Sequence, residues 1–204
     1  GQIAGYVYDT EPNNTRATAT PLALGGSQPN LFNAGGRGFL VDNSDVDFWS
    51  FSLQAGDRVY VRGEIPGNPG ASALRYQLFN PAGVSLADMT AEYTGQFAFN
   101  LFTATEAGAH TLRVGVYYGY NSEYRFRVYV MRGDLQVEVE PNNSMSTANA
   151  MTLTASGSNA GGSLAGTSLV LGDLDYLSLG TLQAGTTIFL STRQPSDSTF
   201  VPVV

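Results

Sequence analysis

The sequence predicts an all-β protein built from short antiparallel strands in a two-sheet sandwich, repeated once in tandem with the second copy incomplete. Three observations predict it. Large apolar residues recur at every second position in six separate segments. Those segments are divided by turns rich in Gly, Asn and Pro, with 24 glycines in 204 residues. Helical periodicity is nearly absent, there is no lysine, and the glutamates are scattered.

Trp49-Ser50-Phe51-Ser52-Leu53 puts its large side chains on one face, and the turn Gln54-Ala55-Gly56-Asp57 leads into a second strand at Arg58-Val59-Tyr60-Val61-Arg62. Leu74, Tyr76 and Leu78 mark a third strand, ended by Asn80-Pro81-Ala82-Gly83, a turn with Pro at its second position. Phe97, Phe99 and Leu101 mark a fourth. Leu112, Val114 and Val116 mark a fifth after Ala107-Gly108-Ala109. Tyr124, Phe126, Val128 and Val130 mark the last. One polar face per strand suits sheets packed on one side. A single helical turn is expected over Thr15 to Ala19.

The chain repeats itself. Tyr8-Asp9-Thr10-Glu11-Pro12-Asn13-Asn14 returns as Val137-Glu138-Val139-Glu140-Pro141-Asn142-Asn143. Asp45-Val46-Asp47-Phe48 returns as Asp173-Leu174-Asp175-Tyr176, and Leu53-Gln54-Ala55-Gly56 as Leu182-Gln183-Ala184-Gly185. A period of this length means duplicated domains rather than a solenoid of small units. The expected division is a complete sandwich over 1–132 and the N-terminal part of a second copy over 133–204. That second part has no counterparts of the residues after Phe79, so further polypeptide or another chain is expected to complete it.

Composition excludes several classes of function. The formal net charge is -7, which argues against a nucleic-acid partner, since phosphate binding needs concentrated Lys and Arg. Cysteine is absent, so disulfides and thiolate-held metals are excluded. No stretch approaches the length of an apolar membrane span. The start carries no basic region followed by an apolar run, so any export signal is expected outside this sequence. The Gly-x-Ser-x-Gly elbow, the phosphate-binding loop and the His-Glu-x-x-His metal motif are all missing. Asp45 and Asp47, two apart in a strand-like segment, do not make a glycosidase acid pair. No enzymatic activity is expected. The single histidine, His110, reads as structural.

The chemistry lies in the repeated acids. Asp9, Glu11, Asn13 and Asn14 form one cluster and Asp45 with Asp47 a second. The next copy keeps the types as Glu138, Glu140, Asn142, Asn143, Asp173 and Asp175. Calcium takes six to eight oxygens from carboxylates, amides and carbonyls. The two clusters supply that set if the fold brings them together, and without a cation their charges repel. The alternative is a turn or helix-capping segment beside a solvated strand edge. Asp42 lacks an acidic counterpart and is the weaker candidate. Tyr117, Tyr118 and Tyr120 crowd a Gly- and Asn-containing hairpin, where they suit either ligand contact or cover for the sandwich end. Arg113, Arg125 and Arg127 fall on the non-core face of strands read as neighbours, as a small basic patch or as partners for nearby acids.

Taken in this order, Glu11-Pro12-Asn13-Asn14, Asp45-Val46-Asp47-Phe48-Trp49-Ser50-Phe51, Leu53-Gln54-Ala55-Gly56 and Ala107-Gly108-Ala109-His110-Thr111-Leu112-Arg113-Val114 resemble the bacterial pre-peptidase C-terminal domain family. His110 stands where that family has an aromatic residue. The resemblance implies a jelly-roll-like antiparallel β-sandwich. It also implies calcium held near the N-terminal linker by the acidic-Asn segment and the aspartate pair, at the positions above in both copies. The function it implies is a non-catalytic, calcium-stabilised accessory, structural or adhesion module of a larger secreted or cell-surface bacterial protein. Its partners would be the neighbouring domains of that protein. The alternative is a module binding an extracellular polysaccharide, fibrous protein or surface protein through exposed tyrosines. Collagen-contacting positions do not transfer, because no local motif carries them.

Overall fold

Strand alternation becomes layer structure in the computed structural model, which describes residues 5–66, 73–92, 97–119, 123–166 and 173–194, with backbone only at 27–28 and 97–99. The chain divides into two compact units, Gly1–Gly133 and Asp134–Val204.

The first unit is a β-sandwich. Its strands are β1 (Val7–Tyr8), β2 (Thr20–Pro21), β3 (Gly25–Gln28), β4 (Leu31–Phe39), β5 (Val46–Leu53), β6 (Arg58–Glu64), β7 (Ala73–Phe79), β8 (Ser85–Ala91), β9 (Phe97–Thr103), β10 (Gly108–Tyr118) and β11 (Glu123–Met131). One sheet runs β1-β4-β11-β6-β9 with β3 beside β4; the other runs β2-β5-β10-β7-β8. β10 and β11 are the middle strands of the two sheets. Between them lies one core, whose largest fully buried side chains include Trp49, Tyr76, Tyr124, Phe126 and Leu74. The Trp49 and Phe126 rings meet edge to face at 5.1 Å, a favoured aromatic geometry.

The sheets are mixed rather than wholly antiparallel. β1 pairs parallel with β4, and β2 parallel with β5. The N-terminal segment lays one short strand on each sheet and crosses the sandwich between them, so neither pairing is closed by a hairpin turn. Within that crossing, Arg16–Thr18 forms a 3-10 turn capped by Thr15, reciprocally with Thr18.

Two long strands had no clear period. In β8 the inward residues are Ala87, Met89 and Ala91, while Leu86 points out. In β4 the interior positions include Gly36 and Gly38, where a Cβ would overlap the rings of Phe126 and Tyr124. The arginines also part company: Arg113 on β10 bonds Gln77 Oε1 at 2.8 Å in one sheet. Arg125 on β11, in the other sheet, pairs with Glu123 at 2.6 Å, and Arg127 lies 4.2 Å over the Tyr6 ring. They do not form a patch.

The second unit contains β12 (Gln136–Val137), β13 (Asn149–Ala150), β14 (Thr154–Ser156), β15 (Asn159–Gly161), β16 (Leu164–Ala165) and β17 (Leu177–Ser178), joined as three two-stranded sheets.

Candidate metal centre at the N-terminal crossing

Where the chain crosses between sheets, residues 9–14 run past the start of β5. Phe48 N donates to Asn13 O at 2.9 Å, and Asp9 N to Arg37 O at 3.0 Å. Asn13 N donates to Glu11 Oε2 at 3.0 Å, and buried Asn13 Nδ2 reaches Thr20 Oγ1 at 3.3 Å. These bonds fix the turn and aim Glu11 back over β5. Oxygens from Asp9, Glu11 and Asp47 then lie within 4.8 Å of one another.

The second unit repeats the arrangement. Tyr176 N donates to Asn142 O at 3.0 Å and Glu138 N to Ala165 O at 3.0 Å. Asn142 N donates to Glu140 Oε2 at 2.9 Å, and Glu138, Glu140 and Asp175 converge within the same 4.8 Å. The peptide bonds before Pro12 and Pro141 are both cis.

Not every sequence candidate joins these groups. Asp45 is buried, but its Oδ2 accepts from Val41 N at 2.8 Å, and neither it nor Asp173 belongs to the converging set. Asn13 and Asn142 are buried as turn anchors, whereas Asn14 and Asn143 are exposed. Asp42 caps its own turn, accepting from Ser44 N and Oγ at 2.7 and 2.6 Å. Those bonds hold its carboxyl below the usual range.

The electrostatics match a site that lacks neutralisation. Burial, opposed by the Tyr124 bond and assisted by Asp45, Asp9 and Glu11, pushes Asp47 up to about 7. Burial also raises Asp9, while Asp175, exposed at its surface, is raised by partial desolvation together with the charges of Asp173 and Glu140. Two full charges 4.8 Å apart repel by roughly 3 kcal/mol at an effective dielectric of 20. A hard cation or a proton relieves that repulsion. Three converging carboxylates, with no His or Cys in the group among the described residues, are an all-oxygen donor set of the kind that suits a hard cation such as calcium.

Sequence reasoning missed the support behind Asp47. Tyr124 Oη donates to Asp47 Oδ2 at 2.5 Å and accepts from Trp49 Nε1 at 2.9 Å. Its only sequence signal is an ordinary inward strand position, so nothing marks it out. Tyr117 and Tyr118 are exposed with ring centroids 5.8 Å apart; Tyr120 lies outside the described residues. His110 is buried, with Nδ1 3.2 Å from Gly108 O.

No family model matches this chain, and no curated protein does. Among solved structures it is similar to the pre-peptidase C-terminal domain of collagenase from Bacillus anthracis. The identity is 16% and the TM-score 0.42, over 59% of this chain and 99% of that one. It is also similar to PliG, a periplasmic inhibitor of g-type lysozyme from Aeromonas hydrophila, at 11% identity and TM-score 0.38, over 55% and 97% of the two chains. The first of these domains bears the name of the family that the sequence resembles.

Proposed function

We propose that this chain is a non-catalytic accessory module of a larger protein exported to the bacterial surface or medium. Calcium at the start of each repeat fixes the segment that enters the sandwich. The observation that supports this reading is the duplicated cluster: Asp9, Glu11 and Asp47 in one unit, Glu138, Glu140 and Asp175 in the other. Each cluster joins the entering segment to a strand or to the residues just before one, Asp47 within β5 and Asp175 ahead of β17, so a cation bound there ties the linker to the fold. Binding to the native state alone stabilises it by mass action.

Calorimetric titration of the chain with calcium, with melting in calcium and in EDTA, tests the reading. Two binding events and a higher melting temperature in calcium are expected. No heat and no shift overturn it.

A second reading takes Tyr117 and Tyr118 as a contact surface for an extracellular polysaccharide or fibrous protein, supported by their exposed, adjacent rings. Retention on polymer panels, lost in the Tyr117→Ala and Tyr118→Ala variants, is the result that supports it; equal retention by the variants overturns it.

A further inference from the structure

The outer face of the β4-β11-β6 layer gathers positive charge in an acidic chain. Val59, Val61, Phe126 and Val128 point into the core. Their alternates, Arg62 on β6 and Arg125 and Arg127 on β11, therefore point outward. Gly36 and Gly38 face the core rings, which turns Arg37 of β4 to the same outer side. With Arg58 at the far end, the three strands carry five arginines against two carboxylates, Glu64 and Glu123. Residues 1–133 as a whole hold nine arginines and eleven carboxylates. The positive excess is local to this face.

The register sets like charges side by side. Arg127 lies directly opposite Arg62, and Arg125 directly opposite Arg37. Pairs of that kind destabilise a sheet, and an anion placed over them removes the cost. Glu123 serves both Arg37 and Arg125, and Glu64 lies 3.6 Å from Arg62, so guanidinium stays in excess of carboxylate. Two of the four are held in position: Arg127 lies 4.2 Å over the Tyr6 ring, and Arg37 Nη1 donates to Tyr8 Oη at 3.0 Å. The Arg62 side chain is 42% exposed. One step along the strands, Tyr129 faces Tyr60 with ring centroids 6.2 Å apart, and Tyr60 faces Leu101, which is 48% exposed.

We propose that this face binds an acidic polysaccharide, one that carries carboxylate or sulfate groups along its length. Planar guanidinium forks match both groups. The two arginine pairs lie one strand step apart, about 6.8 Å, which suits anions that recur along a polymer better than a single small ion. Tyr129 and Leu101 beside them offer apolar surface to the C–H faces of sugar rings. Nucleic acid fits less well. A DNA duplex carries a charge about every 1.7 Å, and would lay more anions over the surrounding acids than five arginines balance. The choice of polymer rests on the exported setting proposed above. It does not depend on the calcium clusters, nor on Tyr117 and Tyr118, which lie on β10 in the other sheet.

Affinity electrophoresis of the full chain through gels holding polygalacturonate, dextran sulfate or neutral dextran tests the proposal. EDTA is present throughout, so that failure here is separate from failure of the calcium reading. Retardation by polygalacturonate or dextran sulfate, and none by neutral dextran, is expected; the two acidic gels separate carboxylate from sulfate recognition. The double variant Arg62→Gln, Arg127→Gln is expected to bind about tenfold or more weakly. Arg75→Gln with Arg113→Gln removes the same charge from the other sheet and is expected to bind as the natural chain does. Urea midpoints read through Trp49 confirm that each variant is folded; if the first double variant is not, Arg62→Gln alone is expected to show the weakening. Absence of retardation by both acidic polymers overturns the proposal, as does equal retardation by neutral dextran. Equal weakening in the two double variants also overturns it, since any arginine would then serve. So does binding of a DNA duplex as tight as that of either polysaccharide.

Discussion

Tyr124 holds Asp47 from inside the core. Its hydroxyl donates to Asp47 Oδ2 at 2.5 Å while accepting from Trp49 Nε1 at 2.9 Å. All three side chains are buried. The carboxylate that meets Asp9 and Glu11 is therefore oriented by a chain running back to the central aromatic packing.

Tyr124→Phe removes one hydroxyl and leaves two buried groups without it. A buried hydrogen-bonding group left unmatched costs about 1–3 kcal/mol. The variant is expected to lose about 2 kcal/mol or more, read as a lower urea midpoint. Trp49, the only tryptophan, makes its fluorescence a report on the first unit alone.

Asp47 also sets a pH dependence in EDTA. Its folded-state value of about 7 lies above its ordinary value of 3.8, so between those pH values the native state keeps a proton that the unfolded chain has released. Stability of the first unit is then greatest below about pH 4 as far as this group is concerned, and falls as pH rises through 7. The raised Asp9 acts with the same sign. Urea midpoints in EDTA should decline from pH 5 to pH 8, while saturating calcium should flatten or reverse the decline. A midpoint in EDTA that is constant across this range contradicts the assignment.

The parts of the fold written as period-two alternation were legible: β5, β6, β7, β10 and β11 all contain the segments that Trp49, Val59, Leu74, Leu112 and Phe126 marked. The capped turn at Thr15 was legible because Ser and Thr chemistry there is local. β4 was not, since its inward positions carry glycine and the opposing strand supplies the bulk. The pairing of β1 and β2 was hidden as well, because two-residue strands carry no period and their partners are distant in sequence. At the site, charge pattern and duplication drew attention to the acids. Their sorting into Asp9, Glu11 and Asp47, with Asp45 turned to the Val41 amide, depends on the crossing of the chain between sheets.

The glycines of β4 yield a prediction of their own. Gly36→Ala places a methyl group in the Phe126 ring, and overpacking of a tight core costs typically about 1–3 kcal/mol. Phe126→Leu shortens the opposing side chain at a cost in lost packing. The double variant is expected to be more stable than the sum of the two losses predicts, because the two changes share one space. Strict additivity in urea midpoints contradicts the shared-space account.

Two ion pairs of the first unit differ in burial. Arg132 donates to both oxygens of Asp57, at 2.8 and 2.7 Å, and Gln54 N donates to Oδ2 at 2.8 Å. Asp57 is only 1% exposed, so Arg132→Ala strands a charge that water cannot reach. Breaking one side of a buried pair costs about 3–5 kcal/mol; the remaining Gln54 bond places the expected loss near the lower end. Arg75 and Asp88 pair on the exposed outer side of β7 and β8, with both side chains about 40% exposed. There solvent competes for both partners, and Arg75→Ala is expected to cost less than about 1 kcal/mol. Urea unfolding of the two variants, followed through Trp49, should separate them by at least twofold in lost stability. Equal losses would mean that the Asp57 carboxylate finds water or another donor once Arg132 is gone.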